Sequence, residues 1–479
     1  MPIMIALPRG VPLETLTWEV IALPEECVPA EYRTVQPDKT AAATQPSKIA
    51  RIEAKLARSD ELGQAGAKIP LGGTAMKPVE SLPAEKLEYL KRRTDKYFTK
   101  SRTVIEKFGD RTVTYGVFLR RGVICAVNPA IDALRTYYSA AAPLRITRLY
   151  EEGAFVPDQM ALFTYTGSFA ALVELETLIL QRVGVACVTA YNAYKMAMNL
   201  KKVAFIDMHA RHSPGDDLSL LAAYGASVGS RMAKLSGAVG FVGSSQDLTA
   251  HFYGQEKGVG TMPHALIGYA GSTLRAAQMY VETHPQDNLT VLIDYYGHEY
   301  SDSLEVCRWW YKDTLPKDLS GARALALRID THGERYAEGL DYEKSVEILV
   351  NWLHVPNEYE AVRYVMGEEA FDADSLNIVK DRVRKVLFGT GVSVASVIQL
   401  RHTLDANGFN ACKIVGSSGF NLFKCKMFAN SRAPLDVVGT GSFIPDNFND
   451  TFATADVFMY DGKAGIKVGR EKLFQGLKP

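Results

Sequence analysis

His264 closes the run Gly258-Val259-Gly260-Thr261-Met262-Pro263-His264, a glycine-rich turn that delivers an imidazole to the start of an apolar stretch. Two glycines and Thr261 let backbone N–H groups come close to an anion with no bulky side chain in the way. The apolar spacing predicts a helix over about 265–280, whose first amides and dipole add positive potential at the same place. A histidine there can accept a proton, bind a phosphate or carry one.

Other groups with chemistry recur at a fixed point in a pattern. Short apolar runs at 203–208, 238–242, 289–294, 324–330, 412–415 and 435–438 read as strands, with helical periodicity between them. Past the first lies His209-Ala210-Arg211-His212, and past the second Gly243-Ser244-Ser245-Gln246. Asp294 and Asp330 close the next two. Gly416-Ser417-Ser418-Gly419 follows the fifth and Gly439-Thr440-Gly441-Ser442 the sixth. Repeated strand–helix units imply parallel strands joined by right-handed crossovers. About six to seven units suggest an irregular or incomplete α/β barrel, TIM-like in plan, whose strand ends converge on one face.

On such a rim, Ser418, Gly419, Gly439, Thr440, Gly441 and Ser442 have the makings of a phosphate cradle. Glycine permits close backbone approach and the hydroxyls donate. Arg211 and Arg328 suit bidentate contact with phosphate or carboxylate oxygens. Ser245 and Thr261 add hydroxyls. Asp294 and Asp330 can orient sugar hydroxyls or take Mg²⁺, which binds through one or two carboxylates plus substrate phosphates.

The elements that must hold these groups follow from the same periodicities. A helix is expected over 218–235, with Leu221, Tyr224, Gly225, Val228, Met232 and Leu235 on one stripe, and another over 392–407. Upstream, 112–119 reads as a strand and 170–182 as a helix with Leu172, Leu175 and Ile179 inward. Ten of the 21 prolines fall in the first 83 residues, which argues against regular structure there except for a short amphipathic helix over 47–62. The expected organisation is an arm (1–85), an α+β domain (86–185), a barrel (186–445) and a C-terminal segment (446–479) returning to the α+β domain.

Bulk composition excludes several classes. The 54 basic residues balance the 54 acidic ones, so nothing favours nucleic acid or an acidic membrane surface as partner. No apolar run approaches the roughly 18 residues of a membrane span. The six cysteines are scattered, with no C-x-x-C pair for zinc. These features fit a cytoplasmic, reduced protein.

Several motifs occur in a specific order: Thr94-Asp95-x-Tyr97, Glu174-x-Glu176, Gly260-Thr261-Met262-x-His264, the two late glycine loops, and Lys467-Val468-Gly469-Arg470-Glu471-Lys472. Over roughly 87–472 the chain resembles the nicotinate phosphoribosyltransferase family, a type II phosphoribosyltransferase. The resemblance implies transfer of phosphoribose from 5-phosphoribosyl-1-pyrophosphate to nicotinate, releasing pyrophosphate, on the route to NAD. It further implies an α/β barrel with an α+β domain built from both chain ends, Mg²⁺ carried with pyrophosphate, and ATP as an optional second substrate. The assembly it implies is a homodimer or larger oligomer with a shared active site. By this resemblance Tyr97 stacks on the pyridine ring from the other subunit, and His264 is the histidine that ATP phosphorylates. Ser418, Gly419, Gly439, Gly441 and Ser442 hold the ribose 5-phosphate.

Two motifs depart from the family. Ala210-Arg211-His212 stands where paired arginines are common, and Asp330-Thr331-His332-Gly333 where Asp-Ser-Gly-Asp is common. His212 and His332 are the neighbouring groups able to compensate. Nicotinamide or quinolinate as the base, a non-catalytic relative that kept the barrel, and an unrelated phosphosugar isomerase or aldolase stay open as alternatives. An aldolase wants a lysine at a strand end, and none of the six strand-end loops contains one.

Overall fold

The computed structural model describes residues 82–314, 323–373 and 377–474, so the helix expected over 47–62 lies outside the described residues. Helices α1 (Ala84–Arg93) and α2 (Lys96–Phe108) lead into β1 (Thr112–Leu119), the strand expected there. β2 (Arg145–Arg148) and β3 (Ala161–Ser168) follow, both antiparallel to their neighbours. β1 and β3 are buried along almost their whole length, as strands covered on both faces must be.

The helix expected over 170–182 is the start of a longer, interrupted one. Ser168 caps a single turn (Phe169–Leu172), a 3₁₀ turn follows (Val173–Leu175), and α3 (Glu176–Asn199) then runs for 24 residues. Leu172, Leu175 and Ile179 are buried, as expected. α3 is apolar round most of its circumference because it lies between two layers.

The barrel strands come next, beginning with β4 (Ala204–Asp207), α4 (Asp216–Leu235) and β5 (Gly240–Ser244). α5 (His264–Ala270), α6 (Thr273–Thr283) and β6 (Leu289–Leu292) follow. Then come α7 (Glu299–Trp309), β7 (Leu325–Ile329), α8 (Tyr342–Leu353) and α9 (Val394–Ala406). β8 (Lys413–Gly416), α10 (Leu422–Asn430) and β9 (Val437–Thr440) close this part of the chain. Finally β10 (Ala453–Tyr460) and β11 (Lys463–Ala464) return to the first sheet, whose order is β11-β10-β1-β3-β2.

All six expected barrel strands form, and every neighbouring pair is parallel. Their order is β5-β4-β9-β8-β7-β6. This is the cyclic order of a barrel with one break, between β5 and β6. The sheet is therefore an irregular barrel with an open seam, and the chain that crosses from β5 to β6 carries the glycine-rich turn and His264.

Two expectations about helices are corrected. The helix expected over 265–280 is two helices, because Gly271 (φ 81°) ends α5 in the left-handed conformation and the Ser272 side chain caps α6. On α4 the buried stripe is made of Ala222, Gly225, Ala226, Val228, Gly229 and Ala233, whereas Leu235 is exposed. The reason is the closeness of α3. A Cβ at Gly225 would stand 2.2 Å from the Ala186 carbonyl oxygen, and one at Gly229 1.9 Å from that of Ala190. Small residues let the two backbones touch, and larger ones turn outward.

Candidate functional site

The carboxyl ends of the six parallel strands share one rim, and the open seam is crossed by the glycine-rich turn. The Val259 amide donates to the Ser244 carbonyl at the end of β5 (2.7 Å), and Arg328 Nη2, from β7, donates to the Met262 carbonyl (2.8 Å). The turn is thereby tied to strands on both sides of the break. Met262 is buried beneath it, while His264 stands at the first position of α5 with its side chain 46% exposed.

Asp294, just past β6, meets that histidine. Nε2 of His264 lies 3.1 Å from Asp294 Oδ2. An ionised Asp294 only accepts, and with it Nε2 carries the proton while Nδ1 makes no hydrogen bond among the described residues. Asp294 is nearly buried, and burial pushes its carboxyl above the ordinary range, with His264 opposing and Asp330 and Glu299 reinforcing the shift. Its other oxygen, Oδ1, has no protein partner.

Arg328 mirrors this state. Burial lowers the affinity of its guanidinium for a proton, Asp330 and Asp294 oppose that, and Arg211 adds to it. Nη1 lies 3.8 Å from Asp330 Oδ2, and buried Nε has no partner. A buried acceptor and a buried donor without partners cost about 1–3 kcal/mol each, which a bound polar ligand can recover. Arg211 is exposed on a 3₁₀ turn (Ala210–His212) just past the carboxyl end of β4, on the same rim.

The loop after β8 offers donors. Ser418 (φ 75°) and Gly419 (φ 66°) are both left-handed and exposed. The backbone amides of Ser418, Gly419 and Phe420 donate to no acceptor among the described residues. Free amides in succession at a strand end are the kind of backbone donor that an anion can use. Thr440 Oγ1, at the end of β9, donates to the Phe420 carbonyl (2.7 Å) and accepts from the Ser442 amide (2.9 Å), so the two glycine loops are joined. Gly441 lies against His209, where a Cβ would come within 2.7 Å of the histidine Cα, and Gly439 lies likewise against Met208.

No protein-family model and no curated sequence matches the chain. Solved structures do. Nicotinate-nucleotide pyrophosphorylase from Pyrococcus furiosus superposes with a TM-score of 0.55 at 19% identity, over 82% of this chain and 81% of that one. Human nicotinic acid phosphoribosyltransferase does so with a TM-score of 0.51 at 14% identity, over 78% and 76%.

The chain has the type II phosphoribosyltransferase fold.

Within that fold the N-terminal motifs pack together, away from the contacts just described. Thr94 Oγ1 donates to the Glu174 carbonyl, and Thr177 Oγ1 donates to Asp95 Oδ2 (2.9 Å). Arg102 pairs with Glu174 at 2.7 Å. Tyr97 is 61% exposed, close to Asp95 and Glu176. Burial, with Asp456 and Asp95 nearby, pushes Glu176 up to about 7. Arg470, from the closing motif, pairs with Asp456 at 3.0 Å, so the closing motif meets the N-terminal motifs here. No hydrogen bond or ion pair in the described residues joins Tyr97 to His264, Asp294, Asp330, Arg211 or Arg328. Ser245 is exposed at the end of β5, with its amide bonded to the Asp207 carbonyl, and Thr261 is half-buried in the seam turn.

Three rim residues are absent from the sequence-based set. Lys424, in the first turn of α10, reaches back to the Ser418 carbonyl. Glu299 is fully buried and binds Arg335 at 2.6 Å, and Arg335 also donates to the Asp294 carbonyl at 2.7 Å. Reading a few residues beyond each strand end, to the first turn of the following helix, would have found Lys424 and Glu299. His209 is in the opposite position. It is buried between Asp207 and Ser219, with Nε2 3.0 Å from the Ser219 carbonyl, so that nitrogen donates and takes no proton from the Ser219 hydroxyl. That Asp-His-Ser grouping is structural.

Proposed function

We propose that the chain is an enzyme of NAD biosynthesis that transfers phosphoribose from 5-phosphoribosyl-1-pyrophosphate to nicotinate, giving nicotinate mononucleotide and pyrophosphate in the cytoplasm. The observation that carries this reading is the run of three unpartnered amides at Ser418, Gly419 and Phe420, on the same rim as the His264–Asp294 pair. Amides without acceptors suit a phosphate monoester. Beside them, Arg328 Nε and Asp294 Oδ1 supply one donor and one acceptor for the sugar or its diphosphate.

Displacement at the anomeric carbon builds positive charge on the ribose and negative charge on the departing pyrophosphate, while the pyridine nitrogen supplies the electron pair. The protein then has to position the partners, exclude water and stabilise charge. On this reading Asp294 and Asp330 stabilise the growing positive charge, and Arg328 and Arg211 the leaving group. No protein nucleophile is required. Among the described residues no three acidic, His or Cys side chains converge into a metal cage. Where Mg²⁺ arrives on pyrophosphate, Asp294, with its orphaned carboxylate oxygen, and Asp330 would hold it. When bound, it neutralises leaving-group charge.

His264 Nδ1 is the nitrogen that ATP would phosphorylate, with Asp294 holding the ring. Tyr97, exposed on the α+β domain, is suited to cover the base of a neighbouring subunit in a homodimer or larger assembly. None of the described helices is long and apolar enough to cross a membrane.

The test is turnover of the full chain with phosphoribosyl pyrophosphate, Mg²⁺ and nicotinate, nicotinamide or quinolinate, with and without ATP. Nicotinate mononucleotide formed from nicotinate supports the reading, and ATP stimulation adds the role of His264. Preference for another base moves the specificity, and no product from any base sinks the transferase.

A further inference from the structure

Lys424 occupies a position that its surroundings should disfavour. It sits in the first turn of α10, behind the N-cap Asn421, whose side chain accepts from the Lys424 amide at 3.0 Å. A cation there opposes the helix dipole, which favours acidic groups in the first turn. It is also half-buried, a cost that the Phe420 ring, 4.5 Å from its ammonium, offsets only in part. Burial pushes its amine down to about 8, with Cys425 and then Asp330 partly offsetting the shift. An exposed surface lysine would incur none of this.

What the side chain does instead is specific. Nζ donates to the carbonyl oxygen of Ser418 at 2.8 Å. Ser418 is a non-glycine residue at φ 75°, a conformation that needs support. In a planar trans peptide the C=O and the following N–H point in opposite directions. Fixing the Ser418 carbonyl toward Lys424 therefore turns the Gly419 N–H the other way, and that amide is the middle one of the three without an acceptor.

We infer that Lys424 is a positioning residue, which holds the Ser418–Gly419 peptide so that the Gly419 amide faces a phosphate group bound at the rim. This rests on the phosphoribosyl reading only for the identity of the phosphate. A long side chain with a terminal donor is needed, so arginine should substitute in part and methionine should not.

The experiment compares wild type, Lys424→Met and Lys424→Arg by three readouts. These are calorimetric binding of phosphoribosyl pyrophosphate, steady-state kinetics, and hydrogen exchange of a peptide spanning 416–424 without ligand. Lys424→Met is expected to weaken binding and raise KM for phosphoribosyl pyrophosphate about tenfold, the loss of one charge-assisted hydrogen bond, with kcat within about twofold. Exchange over 416–424 should speed up, and Lys424→Arg should recover most of each effect. Equal binding and equal exchange in Lys424→Met would overturn the inference and leave the transferase intact. A fall in kcat with KM unchanged would also overturn it. Wild type that binds no phosphoribosyl pyrophosphate, while exchange still quickens in Lys424→Met, would refute the substrate and keep the loop-orienting role.

Discussion

His264 and Asp294 lie 30 positions apart, yet Nε2 and Oδ2 stand 3.1 Å from each other across the open seam of the barrel. The imidazole is half exposed and the carboxylate nearly buried, so one partner is accessible and the other is fixed. This orients Nδ1 outward and sets its tautomer, as a carboxylate does for catalytic histidines generally.

From that pairing, Asp294→Asn is expected to lower ATP-stimulated turnover by roughly a hundredfold, because an amide no longer enforces the Nε2–H tautomer. His264→Ala should abolish the stimulation itself. Both variants should retain wild-type far-UV circular dichroism. Turnover with and without ATP checks this, and undiminished stimulation in His264→Ala would remove the histidine from the mechanism.

Glu299 supports the same pair from below. It binds Arg335, accepts from Thr331 Oγ1 (2.8 Å) and accepts from the Glu338 amide (3.0 Å), and Arg335 in turn holds the Asp294 carbonyl. Replacing it with alanine removes the carboxylate partner of Arg335 and leaves the buried Thr331 hydroxyl without its acceptor. Because Arg335 is a third exposed and keeps the Tyr336 and Asp294 carbonyls, the expected cost in urea unfolding is about 1–3 kcal/mol, chiefly from the buried Thr331 hydroxyl, together with reduced turnover from a displaced Asp294.

Glu176 gives a pH signature. Its folded value is raised from 4.5 to about 7, chiefly by burial, with Asp456 and Asp95 adding to it. A raised carboxyl stabilises the fold only while protonated. Its contribution is complete below about pH 4.5 and is lost as pH rises through about 7. Thermal unfolding of Glu176→Gln should match wild type near pH 4.5. The variant should then gain a few degrees over wild type by pH 7.5 and hold that difference above it. A constant difference across this range would contradict the assignment.

The contact between α3 and α4 leaves no room for a methyl group. Gly229→Ala places a Cβ about 2 Å from the Ala190 carbonyl oxygen, and the helix backbones must separate. Although alanine favours helix by up to about 1 kcal/mol, overpacking should prevail and destabilise by roughly 1–3 kcal/mol net. Chemical denaturation measures the sum, and a stabilised variant would show that the two helices separate easily.

Much of the barrel was legible in the chain. The six strands were visible as apolar runs, since a strand buried on both faces needs nothing but apolar residues. Polar groups at their ends followed, because parallel strands must send all their carboxyl ends to one rim. α4 was visible as a helix, but its buried stripe was not. Burial there depends on how near α3 comes, and glycine and alanine carry no hydrophobic signal that announces it. The single helix expected after His264 became two because Gly271 and Ser272, both tolerable in a helix, were used as a stop and a cap.

By itself the sequence determined element type and the placement of reactive side chains along the chain, because those depend on local periodicity and on turn chemistry. Only the tertiary structure decided where the barrel stays open and which residues stand as pairs. The open seam between β5 and β6 is a property of strand order, set by long-range packing. That seam brings His264 to Asp294, while the packing of α4 on β4 buries His209 and the start of α10 folds Lys424 back onto Ser418. Each of these depends on distances between segments far apart in sequence or on the curl of a helix start, which no local pattern encodes.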